Sequence, residues 1–181
     1  INVHLIGYNL TPEDRYNLLI KYFVESHRII NILDRDKKVL KYILEAEDYS
    51  VDINQTGYLG MTSLMYAAEN SHHDCLRLLI DNGADLDLVD EQGISAVRYA
   101  VMDNNTESLS LLIDNDVDLH EVDEKGTSVV HCAVKNSSIE CLKLLVNYFI
   151  DLDAVDEGGR NAVHYAAMNS NVEYLSLLID N

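Results

Sequence analysis

G-M-T-S-L-M-Y-A-A, from Gly60 to Ala68, returns as G-I-S-A-V-R-Y-A-V from Gly93, G-T-S-V-V-H-C-A-V from Gly126 and G-R-N-A-V-H-Y-A-A from Gly159. The four glycines stand 33 residues apart, as do Ala67, Ala100, Ala133 and Ala166, and Leu78, Leu111, Leu144 and Leu177. A fixed period of this length means one supersecondary unit stacked on copies of itself, because a single unit cannot bury its own apolar face. Within the unit, Leu64, Ala67 and Ala68 fall at i, i+3 and i+4 and line one helical face. The alanines let a second helix approach closely, and that helix carries Leu76, Leu79 and Ile80 at the same spacing. Thr62, Ser95, Ser128 and Asn161 each follow their glycine by two and can cap the first helix by accepting a backbone N–H. Burying a leucine or isoleucine side chain is worth about 1.5–3 kcal/mol, so the stack has an adequate core without disulfides.

Each copy then runs through an acid and a leucine-rich segment, such as D-C-L-R-L-L-I from Asp74, to a closing stretch such as G-A-D-L-D from Gly83. The composite resembles the ankyrin repeat, whose pattern is roughly G-x-T-P-L-H-x-A-A, then G-H-x-E, a leucine-rich helix and G-A-D-V-N. The resemblance covers residues 55–181 continuously. It implies an all-α repeat solenoid of stacked helix-turn-helix units with short β-hairpin fingers. The repeats span 55–87, 88–120, 121–153 and 154–181, the last truncated at its C-terminal end. Residues 1–54 read as an N-terminal capping helix, begun at Thr11-Pro12-Glu13-Asp14, and a divergent first repeat. The chain stops before the fourth closing segment and so reads as a piece of a longer protein.

Departures from the family pattern are as informative as the matches. Ser63, Ala96, Val129 and Ala162 stand where the family has proline, and Met65 and Arg98 where it has the histidine kept as His131 and His164. Ser71, Asn104, Ser137 and Ser170 replace the inter-helix glycine, at a left-handed position that serine adopts less readily. Gly83 becomes Asp116 and then Phe149, so the closing turn of the third repeat is expected to be altered or strained.

Charge is uneven. The net charge is −18, and residues 55–181 hold six Lys/Arg against 22 Asp/Glu. Twelve of these acids lie in three segments, D-L-D-L-V-D-E-Q-G from Asp85, D-L-H-E-V-D-E-K-G from Asp118 and D-L-D-A-V-D-E-G-G from Asp151. In the ankyrin fold these would be fingers along the concave side, making a negative field that steers a basic partner and repels nucleic-acid phosphates. Asp85, Asp118, Asp151, Asp90, Asp123 and Asp156 fall where the family uses acids for turn hydrogen bonds. The surplus on Asp87, Glu91, Glu121, Glu124, Asp153 and Glu157 points to a partner, with solubility as the competing account.

Partner contact in this family comes from finger tips and the exposed end of the first helix. Carried over by position, the resemblance assigns it to Tyr58, Leu59, Met61, Glu69 and Asn70, then to Glu91, Gln92, Ile94, Met102 and Asp103. Glu124, Lys125, Lys135 and Asn136 follow in the third copy, and Glu157 and Arg160 in the fourth. Tyr58, Leu59, Met61, Ile94 and Met102 make an apolar group in an acidic strip, the composition of a peptide-binding hot spot. Tyr58 and Leu59 packing against the first repeat is the alternative. Tyr66, Tyr99 and Tyr165 recur at the repeat period, which favours a packing role.

His72-His73-Asp74-Cys75 falls on ordinary family positions and does not recur, and no phosphate loop, nucleophile elbow or Cys-x-x-Cys pair appears. No cofactor, metal or catalytic role is expected. The apolar runs are too short to insert in a membrane, and three helix-embedded cysteines fit a reducing compartment, cytoplasmic or nuclear. The expected function is a non-catalytic protein-interaction module, a scaffold or adaptor, whose acidic concave face binds a basic or amphipathic segment of another protein. The alternative is the targeting or substrate-recruiting arm of a larger multidomain enzyme or effector.

Overall fold

The structure, a computed structural model, describes residues 52–148 and 150–181. The expectations for a capping helix and a divergent repeat over 1–54, and for strain at Phe149, therefore lie outside the described residues, save for 52–54. Among those described, eight α-helices follow one another in four pairs. They are α1 (Ser63–Glu69) with α2 (His73–Asp81), α3 (Ala96–Met102) with α4 (Thr106–Ile113), α5 (Val129–Lys135) with α6 (Ile139–Val146), and α7 (Ala162–Met168) with α8 (Val172–Ile179). Each first helix packs on the next first helix, α1 on α3, α3 on α5 and α5 on α7, while α2 packs on α4 and α4 on α6. The result is the two-layer stack that the period predicts.

Capping begins each first helix as the spacing requires. Thr62 Oγ1 accepts the Met65 N–H at 3.3 Å, and Asn161 Oδ1 accepts the His164 N–H at 3.2 Å. The residue at the third helical position returns the contact: His131 Nδ1 and His164 Nδ1 accept the N–H of Ser128 and Asn161, each at 3.2 Å. Second helices are capped less uniformly. Asn105 Oδ1 accepts the Ser108 N–H at 3.0 Å, but Ser138 makes no side-chain cap. The Cys141 N–H of α6 bonds instead to Asn104 Oδ1 of the preceding repeat, at 3.2 Å.

First helices end with the chain turned back through the left-handed region at Ser71, Asn104, Ser137 and Ser170, with φ of 59°, 51°, 61° and 54°. The N–H one residue further on then reaches a buried alanine carbonyl, His72 to Ala67 and Ser138 to Ala133 among them. These hydrogen bonds hold serine where glycine would be relaxed. Asp116 likewise keeps the left-handed geometry of Gly83, with φ 62°. The core lies between layers, with Leu64, Leu76, Val97, Leu109, Leu112, Leu142 and Leu145 fully buried beside the recurring alanines.

The fingers are simpler than the β-hairpins expected of them. No extended strand forms among the described residues, only isolated antiparallel bridges between Val89 and Ser95 and between Val122 and Ser128. A single aspartate holds each turn closed, so little ladder is needed.

Candidate partner-binding surface

Each finger is organised by its last aspartate. Asp90 Oδ1 accepts the N–H groups of Gln92 and Ile94 at 2.8 and 2.9 Å, Asp123 Oδ1 those of Lys125 and Thr127, and Asp156 Oδ1 those of Gly158 and Arg160. The other carboxylate oxygen takes a tyrosine hydroxyl nine residues on, Tyr99 at 2.7 Å from Asp90 and Tyr165 at 2.5 Å from Asp156. The Tyr165 hydroxyl, the Arg160 amide and the Arg160 guanidinium hold the Asp156 carboxyl well below its ordinary range. Burial and the hydrogen bond to Asp90 push the Tyr99 hydroxyl up. Tyr99 and Tyr165 thus tie the fingers of the second and fourth repeats to their own first helices, whereas the Tyr66 hydroxyl donates to the Tyr58 carbonyl at 3.4 Å.

The third repeat has Cys132 in place of that tyrosine, and Arg98 of the second repeat fills the role. Its guanidinium is buried, lies 3.7 Å from Asp123 Oδ2 and 3.1 Å from Glu121 Oε1, and donates to the Thr127 carbonyl. Ser95 Oγ also donates to Glu121. One repeat later His131 Nε2 meets the equivalent carbonyl, that of Arg160, at 2.9 Å. Because His131 Nδ1 accepts from Ser128, Nε2 carries the proton and the ring is fully bonded while neutral. Burial pushes the Glu121 carboxyl up, against the pull of Ser95 and Arg98. Burial acts in the same sense on Asp123, but the amides of Thr127 and Lys125, with Arg98, bring it below its usual value.

Two of the surplus acids thus belong to the scaffold. Glu121 is the counter-ion of Arg98. Asp87 Oδ1 accepts the Asp118 N–H of the next finger at 2.9 Å, as Asn54 Oδ1 accepts that of Asp85. Glu91, Glu124 and Glu157 are different: all three are exposed, and none has an ion-pair partner among the described residues.

Other assigned residues separate by exposure. Met61 is buried and belongs to the core, where its place beside Leu64 and Met65 puts it, so it leaves the apolar strip. Ile94 is half-buried against the same core. Tyr58, Leu59 and Met102 remain exposed, Leu59 with φ 58° in the turn Tyr58–Gly60. Glu69 and Asn70 are half-buried, and Asn70 Nδ2 donates to the Tyr66 carbonyl at 2.9 Å. Asn136 makes the same bond to the Cys132 carbonyl, also at 2.9 Å. Gln92, Asp103 and Lys125 are exposed. Lys135 and Arg160 both lie over the Tyr165 ring, 5.2 and 5.1 Å from its centre, and Arg160 Nη2 pairs with Asp156 at 2.9 Å. Lys135 of the third repeat and Arg160 of the fourth are thus both engaged by fourth-repeat side chains.

A further set was missed. Val89, Val122 and Val155 recur at the 33-residue step immediately before the finger aspartates and are 50%, 57% and 56% exposed. An apolar residue repeated inside an otherwise acidic segment was the available signal. The valines put an aliphatic ladder beside the acidic tips.

Among the described residues, no group of three or more His, Cys, Asp and Glu side chains could hold a metal ion. His73 is instead tied to the next repeat, with Nε2 3.1 Å from Asn105 Oδ1 and Nδ1 3.1 Å from Glu107. Cys75, Cys132 and Cys141 are all buried, and burial pushes the Cys141 thiol up to about 12. No helix among the described residues is long and apolar enough to cross a membrane.

No curated protein gives a significant match to the chain. A sequence profile described as ankyrin repeats (3 copies) matches residues 26–123 and 97–181. Ankyrin repeats are in general protein–protein interaction modules and typically non-catalytic. Together with the helix pairs, alanine-lined junctions and aspartate-closed fingers, this match establishes that the chain belongs to the ankyrin repeat family.

Proposed function

We propose that the chain is a scaffold or adaptor module whose finger tips and first-helix ends bind a basic or amphipathic segment of another protein. The observation that carries this reading is the row Glu91, Glu124 and Glu157, exposed and lacking ion-pair partners among the described residues, beside the exposed valine ladder. Acid alone is a solubility feature. Acid flanking aliphatic surface complements a segment in which lysine or arginine alternates with apolar side chains.

Tyr58, Leu59, Gln92, Met102 and Asp103 extend the surface, whereas Lys125, Lys135 and Arg160 bias it against cations toward the fourth repeat. The four repeat boundaries given above, and a capping role for residues preceding 55, are part of the same proposal; the profile match from residue 26 supports it.

The test is titration of the chain with a labelled peptide of alternating lysine and valine at 20 and 300 mM salt. Binding that weakens at least tenfold in high salt, and weakens similarly at low salt when Glu91, Glu124 and Glu157 are all changed to Gln, is the expected result. Absence of binding at low salt, or binding indifferent to salt, overturns the reading.

A further inference from the structure

Adjacent fingers are zipped tip to tip at two junctions and open at the third. The Glu91 N–H donates to the Leu59 carbonyl at 2.9 Å, and the Glu157 N–H to the Lys125 carbonyl at 2.9 Å. Contact there is close: a methyl carbon placed on Gly60 would stand 3.0 Å from Glu91 N, and one on Gly126 3.3 Å from Glu157 N. By the repeat register, the corresponding partners between the second and third fingers are the Glu124 N–H and the Gln92 carbonyl. They make no backbone hydrogen bond to each other, and a methyl carbon on Gly93 would meet nothing within 4 Å.

We propose that this gap is the seat of an extended partner segment carrying a lysine or arginine next to an aliphatic residue, its main chain bonded to the Gln92 carbonyl and the Glu124 N–H. The inference rests on the acidic-surface reading above and localises it. Main-chain groups supply affinity in such strand additions, and flanking side-chain contacts supply specificity. Here the flanking groups are the exposed Val89 and Val122, half-buried Ile94, and the Glu124 carboxylate. Beneath the gap, Arg98 already neutralises Glu121 and Asp123, so the attractive charge is at the rim. The next junction is both zipped and cationic, with Lys125, Lys135 and Arg160 around it. A basic segment is therefore directed to the second and third fingers.

Amide hydrogen exchange followed by NMR on the whole chain tests this, with the alternating lysine–valine peptide as probe. In the free protein the Glu91 and Glu157 amides, already bonded, exchange at least tenfold more slowly than that of Glu124. At peptide saturation Glu124 slows at least tenfold while the other two change less than twofold. As a second measurement, Glu124→Lys weakens binding more than Glu91→Lys or Glu157→Lys, which make the same change of charge at zipped tips. Peptide binding without protection at Glu124, or equal losses from the three charge reversals, overturns the seat and leaves the acidic-surface reading intact. A Glu124 amide as protected as Glu91 in the free protein also overturns it, since no gap then exists. Failure of the peptide to bind at low salt overturns the broader reading itself.

Discussion

Arg98 occupies the place that His131 holds one repeat later, and the two side chains reach equivalent carbonyls by different chemistry. A neutral imidazole completes its bonds alone, whereas a buried guanidinium requires anions, and Glu121 and Asp123 supply them. Removing one member of such a pair strands the other charge, at a cost of about 3–5 kcal/mol, although replacing both is often neutral. Arg98→His and Glu121→Ala should therefore each destabilise, by roughly 2–4 kcal/mol. The double variant, which imports the His131 and Ala154 chemistry of the next junction, should recover part of the summed loss. Urea unfolding of the four proteins measures the coupling, expected at about 1–3 kcal/mol; additive losses would show that the two side chains act independently. In the sequence Arg98 stands out as a departure from the family histidine. Its partner does not, because Glu121 lies 23 positions away in a segment that reads as one more solvated acid. Met61 misled for the opposite reason: its position in the family pattern is commonly a contact, and only the packing beneath the first turn of α1 shows that it is buried.

A finger and the helix that follows it form one element, joined by the Asp90–Tyr99 and Asp156–Tyr165 bonds. This link was legible at the repeat period, since an aspartate and a tyrosine nine residues apart recur in the second and fourth copies. What the period could not show is the substitution in the third copy, where Cys132 is silent and a cation from the neighbouring element takes over. The backbone of the inter-helix turns was half legible: the left-handed position was expected, but the carbonyl bonds that let serine occupy it appear only in the fold. The Asp156 bond carries a pH signature. Its carboxyl is depressed in the folded state, so the unfolded chain binds the proton first as pH falls. The stabilisation is fully present above the ordinary aspartate pKa of about 3.9 and is lost as pH drops through the lower, folded value. The Tm difference between wild type and Asp156→Asn should be constant above about pH 5 and narrow progressively below about pH 4. A difference that persists unchanged at pH 2.5 would mean that the asparagine acts through the turn alone, not through lost charge.

At the scale of the whole stack, stability is close to a sum of repeat and junction contributions, while charge acts across all of them. The period reveals the stacking but not where it is imperfect. The tip between the second and third fingers lacks the bond made at the other two, and the repeat pattern gives no sign of it at Gln92 and Glu124. With 22 acids against six cations over residues 55–181, fingers held side by side repel one another, and that repulsion is screened when the Debye length shrinks from about 30 Å at 10 mM salt to about 3 Å at 1 M. Folding brings these acids closer than the unfolded chain does, so salt should stabilise the protein. A relief of about 1 kcal/mol raises Tm by roughly 2–4 °C in a chain of this size. Thermal unfolding in sodium chloride from 10 mM to 1 M should show a rise of that order, smaller in the Glu91/Glu124/Glu157→Gln variant. Peptide affinity should fall over the same range, because screening weakens attraction to the acidic row as well as repulsion within it. Opposite salt responses of stability and binding, both reduced by the same three substitutions, would tie the two effects to one set of side chains. A Tm that is flat or falling with salt in wild type would show that the ion pairs of the scaffold, Arg98 with Glu121 foremost, outweigh repulsion among the tips.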